Sequence, residues 1–347
     1  MKKVTGWFGR CLLLLSACFS SQVHACFPEG FFKTLNISAG YNNVGRDTPD
    51  GTVFWDRPQQ LVNFSSNWID CRGPVTFQVT TPLAPIHGSP LVDPGEVLLR
   101  TPIPGIGLVM NARLSADGSL VYTPGTGRLG SGVPHTVSHI RSDRLVSMRD
   151  LDYGIRLIKI GPVQPGHHFL NGTTVMQIAS DRNGPLMDVV ISQGSVGVAQ
   201  CSLPAAPGNQ IRVPMGTWTP SDFAGEGAGT QHRAFRIALN DCTYGVSDPH
   251  APGVYAHMRL DPRNGSTVID APRGILGLSS DSTASGVGVQ VLKSDLTPLA
   301  LLEELPIERV GFGTTWLDLA ARYIQAGADR PDAGTANAAA GFTITYK

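Results

Sequence analysis

Apolar side chains recur at every second position through short stretches of this chain, and the stretches end on turn residues. Phe235, Ile237 and Leu239 face one way before Asn240, Asp241 and Cys242 close the run. Period-two alternation marks a half-buried strand, because successive side chains leave a strand on opposite faces. Val287, Val289 and Val291 repeat it, Lys293-Ser294-Asp295 reads as a turn, and residues 299–302 read as the apolar strand that follows. Residues 318–325 fit a helix by composition, yet Leu319, Ala321, Tyr323 and Gln325 also fit one face of a strand, and local pattern does not choose. Residues 334–347 alternate to the very last positions, with Phe342, Ile344 and Tyr346 on one face. The final residues of a domain are usually loosely held. Here the strongest strand pattern sits on them.

The first half shows the same grammar. Strands are predicted near residues 75–80, 97–100, 119–122, 155–160 and 174–179. Asp50-Gly51, Asp117-Gly118, Asn171-Gly172 and Asn183-Gly184 supply turns, and Pro82, Pro85, Pro90, Pro94, Pro102 and Pro104 punctuate the chain between them. Few apolar residues follow Val190 and Gly194 is near, which places a short linker over residues 187–195 with a limited hinge. The domains are then residues 26–186 and 196–347.

Composition agrees. Apolar residues make up 41% and charged residues 16%, and 40 Gly with 26 Pro point to short strands joined by tight turns. The class is all-β, two β-sandwich domains. With 27 basic and 27 acidic residues there is no basic patch, which excludes nucleic acid as a partner. Residues 1–25 read as an export signal: Lys2, Lys3 and Arg10, an apolar stretch over residues 11–19, and Val23-His24-Ala25 before a cut that leaves Cys26 first. Leu15-Ser16-Ala17-Cys18 also fits a lipoprotein signal, but Arg10 leaves few apolar residues ahead of Cys18. No other run reaches the roughly 18 apolar residues of a membrane span.

Beyond that signal stand Cys26, Cys71, Cys201 and Cys242, an even number in a chain bound for an oxidising compartment. The long gap between Cys71 and Cys201 favours Cys26–Cys71 and Cys201–Cys242, one bridge in each domain. Loops of that size stabilise by roughly 3 to 4 kcal/mol in a chain-entropy account. No CxxC spacing accompanies them, so zinc is not expected.

Tyr346 is the penultimate residue, and Gly334 is the fourteenth residue counted back from the end. In these two features the second half resembles the pilin subunits of the chaperone-usher pathway, which have a penultimate aromatic and a glycine at those places. Cys201, the FxIxLxxC run ending at Cys242, the GVGVQV run over residues 286–291 and the ARYIQ run over residues 321–325 also fall where the family puts them; the resemblance covers about residues 190–347. It implies an incomplete immunoglobulin-like pilin fold lacking its last strand, with a groove and an open edge that another chain fills. The implied partners are a periplasmic pilus chaperone, an outer-membrane usher and an adjacent pilin subunit. Gly334, Phe342, Ile344, Tyr346 and Lys347 are the implied groove and docking-edge residues.

A folded domain in front of such a subunit, where a fibre subunit carries a donor strand, implies a tip adhesin exported through the periplasm to the cell surface. Two-domain adhesins of this kind carry a lectin domain there, so a host glycan or other surface receptor is implied. None of the family's sugar-contacting residues carries over. Sugar recognition needs an aromatic face beside polar groups. Trp68, Asp70 and Arg72 beside Cys71 offer that mix, and Trp55 is a second candidate; Trp68 is equally a core residue beside a disulfide. His167-His168 reads as a solvated loop pair rather than a metal site, since neighbours on a strand point apart. No GxSxG, HExxH or Walker pattern is present, so no enzyme and no cofactor is expected. A tip protein that recognises a protein surface, or a secreted β-rich hydrolase, are the competing readings.

Overall fold

A computed structural model describes residues 26–28, 33–63, 69–116, 121–123, 132–139, 145–205, 210–243 and 253–347. The region assigned to the export signal, residues 1–25, lies outside the described residues, as does Trp68. The fold is all-β, and among the described residues the only helical piece is a 3-10 turn at Pro220–Asp222.

One sheet of the first unit runs β1 (Cys26–Pro28), β4 (Ile69–Arg72), β11 (Leu145–Lys159), β8 (Ile106–Ala116), β7 (Leu98–Arg100) and β6 (Pro85–Ile86), with β3 (Val53–Asn63) along the later part of β11. The facing sheet runs β9 (Val121–Thr123), β10 (His135–His139), β5 (Val75–Thr80), β13 (Thr173–Ser180) and β14 (Gly184–Ser202). β2 (Lys33–Gly45) lies parallel to β14, and β12 (Gly166–Phe169) antiparallel to it. In β5, Val75, Phe77 and Val79 are buried while Gln78 and Thr80 face solvent, the alternation of a sheet with one wet face. β8 is buried on both faces from Ile106 to Ala112. Leu108 and Met110 join the central core, while Val109 turns outward to Leu98 and Ile158 in a second, smaller cluster.

The second unit pairs the end of β14 with β15 (Arg233–Thr243), then β21 (Gly313–Gln325), β19 (Val287–Lys293), β18 (Ile275–Leu276) and β17 (Val268–Asp270). Opposite lie β20 (Leu305–Arg309), β16 (Tyr255–Arg263) and β22 (Ala339–Tyr346). Ile237, Leu239, Met258, Leu260 and Leu317 fill the space between. Cys26 is bonded to Cys71 across β1 and β4, and Cys201 to Cys242 across β14 and β15.

Two sequence expectations change, and a reading left open is settled. Residues 187–195 are not a linker: they are the middle of β14, and Met187, Val189 and Ile191 are sealed in the first core. The pattern misled because Ser192, Gln193 and Gly194 form an irregularity in the ladder with β2, which interrupts the alternation without ending the strand. The chain passes between units inside that strand, where Val198 belongs to the first core and Ala199 to the second. Residues 299–302 form no strand. Leu299 and Leu301 are buried and hydrogen-bonded to Val291 and Ala271, while Leu302 takes a positive φ of 65° and turns out. Finally, residues 318–325 are strand, because pairing with β15 on one side and β19 on the other overrides a helical composition.

Candidate functional site

β22 pairs with β16 on one side, and no other described strand pairs with it. Beside it opens a cleft of about 1010 Å³. Its floor is Phe235, Ile237, Met258, Leu260, Val289 and Leu319; one wall is Ala338, Ala340 and Phe342, and the other is the extended segment that includes Ile211, Val213, Met215 and Trp218. Apolar side chains that a closed sandwich would cover therefore face an open trough. Phe342 and Ile344 pack on the core and remain only half-buried.

Tyr346 is 3% exposed, and its hydroxyl donates to the Cys201 carbonyl at 3.2 Å, tying the last strand to the first disulfide-bearing strand of the unit. Burial raises the pKa of that phenol above its ordinary value. Lys347 Nζ lies 2.7 Å from Glu304, and Thr345 also donates to Glu304; hydrogen bonds from Lys347 first and Thr345 second hold the Glu304 carboxyl below the usual range. Gly334 precedes β22 on the trough's rim. A Cβ there would stand 2.5 Å from the backbone nitrogen of Ala284, so only glycine lets residues 334–337 lie against residues 279–284, to which Thr335 and Asn337 are hydrogen-bonded.

The candidate residues of the first unit fall in two places. Asp70 and Arg72 alternate on β4 with the inward Ile69 and Cys71, so they share the outward face next to the disulfide; Arg72 is exposed and Asp70 half-buried, with Oδ1 unpartnered among described residues. Trp55 is elsewhere. Asp70 is opposite Ser147 on β11 and Trp55 is opposite Leu157, ten residues along the strand. At 3.3 Å per residue that is roughly 33 Å, too far for one small-ligand site. Trp55 packs against the first core, with the Arg57 guanidinium 5.7 Å from its ring. His167 and His168 lie on strand β12 and not in a loop; the His167 ring lies tilted against Phe169 with centroids 4.5 Å apart, and His168 reaches the Gln164 carbonyl at 2.7 Å.

Sequence reading missed two features. Tyr41 is 90% exposed and Phe169 60%, and both stand opposite Ser195 on β14, so two aromatics flank one small residue on an outer sheet face. Beneath the segment before β7, Glu96 pairs with Arg156 and accepts from Asn111 Nδ2 at 3.2 Å, all three side chains buried. Neither has a local signal, since the partners are far apart along the chain.

A family model described as "Fimbrial protein" matches residues 192–347. The type-1 fimbrial protein A chain of Escherichia coli (strain K12) is 32% identical over 185 residues, 51% of this chain and 92% of that protein. Among solved structures, the CupB6 tip adhesin from Pseudomonas aeruginosa is similar at 18% identity, covering 92% of this chain and 94% of that one, with a TM-score of 0.38. The receptor binding domain of the plasmid-born adhesin MrkD1P of Klebsiella pneumoniae is 14% identical, covering 52% of this chain and 99% of that one, with a TM-score of 0.36.

Proposed function

The chain belongs to the fimbrial protein family, as an exported cell-surface pilus component of the chaperone-usher type, and on that premise we propose that it is a tip adhesin. Its first unit is a receptor-binding head, and its second is a pilin unit completed by a strand from another chain. The observation that carries this is the open edge of β22 beside an apolar cleft of about 1010 Å³. An unpaired edge above exposed core side chains is a template for strand addition, and a pilus chaperone followed by a neighbouring subunit supplies that strand. Ahead of Cys201 stands a folded domain with its own core and disulfide, which supports a position at the fibre's end.

In the head, Asp70 and Arg72 are the proposed receptor contacts, together with Trp68. Asp70 and Arg72 sit on one outward strand face held still by the Cys26–Cys71 bridge. A host glycan is the proposed receptor class: a carboxylate and a guanidinium both hydrogen-bond hydroxyls, and an indole offers a stacking face. Trp55 is retained as a proposed contact only for a separate patch, given its distance from Asp70.

The test has two arms. Full-length chain is co-expressed with the pilus chaperone of its own gene cluster, with and without residues 335–347; the reading expects capture by the intact chain and none by the deletion, and equal capture by both removes the pilin half. The captured protein is then applied to a glycan array with Asp70→Ala and Arg72→Ala variants. Binding lost in both variants supports the head site, binding unchanged in both removes it, and attachment to protein-coated surfaces alone replaces the glycan with a protein receptor.

A further inference from the structure

The head itself reaches the open edge of β22. Lys347 and Tyr255 exchange both backbone hydrogen bonds, at 2.7 and 3.1 Å, which makes them a hydrogen-bonded pair of the β16–β22 ladder. In an antiparallel ladder such pairs alternate with pairs whose N–H and C=O groups point away from each other. Counting back along the register, Tyr346, Ile344, Phe342 and Ala340 turn their backbone groups to the open edge. Those same residues send their side chains to the core and cleft.

Tyr346 differs from the other three because its edge is already taken. Its N–H donates to the Asp47 carboxylate at 3.0 Å, and its carbonyl accepts from the Asp47 N–H at 3.0 Å. Asp47 thus does at this one position what a paired strand residue would do. It is held there from several sides. Arg46 bonds both carboxylate oxygens of Asp47 at 3.1 Å, donates to Gln200 at 3.2 Å, and lies 5.7 Å from the centre of the Tyr346 ring. Gly45 lies so close that a Cβ would stand 2.1 Å from the Tyr346 carbonyl oxygen.

We propose that Asp47 is the stop that sets the register of the strand added to the pilin unit. The incoming segment pairs with Ala340, Phe342 and Ile344 and ends short of Tyr346. A segment running further would have to displace Asp47, whose carboxylate and backbone N–H already satisfy the two edge groups of Tyr346, losing two hydrogen bonds to make two. Because Asp47 belongs to the head, the stop is in place only while head and pilin unit are docked, so head placement and strand register are one arrangement. This rests on the strand-addition reading above.

The experiment is the crystal structure of the full chain with its co-expressed pilus chaperone, paired with residue-resolved hydrogen exchange of the same complex. The expected result is an added strand whose last pairing falls at Ile344, with Asp47 still on Tyr346. In Asp47→Ala, either the strand advances to Tyr346 or exchange of the Tyr346 amide rises about tenfold, the equivalent of one charge-assisted hydrogen bond. Gly45→Ala, which leaves the carboxylate but forces the two segments apart, gives the same outcome. A wild-type complex in which the added strand pairs with Tyr346 overturns the stop alone, as does an Asp47→Ala complex with unchanged ladder and unchanged exchange. A complex with no strand on β22 overturns both this inference and the reading beneath it.

Discussion

Val198 and Ala199 are consecutive residues of β14, yet the first is sealed in the core of the head and the second in the core of the pilin unit. The passage between units is therefore made inside a hydrogen-bonded strand. β2 accompanies it to Ala199, and β15 takes over from Gln200. A strand held in its ladder does not enter a protease site without opening those hydrogen bonds.

Limited proteolysis follows from that. A flexible connection over residues 187–195 would be nicked first, releasing head and pilin unit as separate fragments. The expected pattern, read by intact mass of early fragments, has first cleavages outside residues 187–200. An early cut between Met187 and Gln200 would restore the hinge.

Tyr346 separates two contributions at one side chain. Tyr346→Phe removes only the hydrogen bond to the Cys201 carbonyl and should lower stability of the pilin unit by about 0.5 to 1.5 kcal/mol. Tyr346→Ala also empties a site that is 3% exposed and should cost about 3 to 5 kcal/mol. Urea unfolding of the chaperone-released chain measures both. Equal losses would place all of the effect in the hydroxyl.

What the sequence made legible was whatever repeats at short range. Phe235, Ile237 and Leu239 announced a strand because their period is local, and the glycines of Asp50-Gly51, Asn171-Gly172 and Asn183-Gly184 announced turns because each adopts a positive φ. Tyr346 and Gly334 could be picked out by their spacing from the last residue, although Gly334 precedes β22 rather than lying in it. What stayed hidden depends on pairings across the chain. Ser192-Gln193-Gly194 looks like the end of a strand when read alone, and only the parallel partner β2 shows that the strand continues. Asp47 reads as an ordinary turn residue until the fold brings Tyr346 beside it. Trp55 stood as a second candidate apart from Asp70, and how far apart became measurable only when β11 set their partners ten residues apart.

The Glu96–Arg156 pair is the strongest buried electrostatic commitment in the described part of the head, with side chains 1% and 10% exposed. Removing one member leaves the other charged and dehydrated, which typically costs about 3 to 5 kcal/mol, whereas replacing both by apolar residues of similar volume is often neutral. Glu96→Ala or Arg156→Ala should each sharply lower the head's unfolding midpoint. The double replacement Glu96→Leu with Arg156→Met should recover most of the loss. Additive losses in the double variant, followed by chemical denaturation, would mean that the pair is not coupled.

His135 gives the head a dependence on pH with a definite sign. The side chain is 4% exposed, and its Nδ1 lies 3.1 Å from the Gly132 carbonyl, which can only accept, so the ring donates there. Burial lowers its pKa below the ordinary value, and the bond to Gly132 opposes that shift without cancelling it. The folded head therefore holds a neutral imidazole while the unfolded chain titrates near 6.5. Below about 6.5 the unfolded state binds the extra proton, so this stabilisation is complete above that pH and is lost as pH falls toward the lowered folded-state pKa. His257, also lowered by burial, acts in the same direction from the pilin unit, so the diagnostic quantity is a difference. Calorimetric melts between pH 7.5 and 5 should show a head transition that falls with acidification in the wild type and falls less steeply in His135→Gln. Identical slopes would mean that His135 is protonated without penalty in the folded head, and that its burial is relieved before the proton arrives.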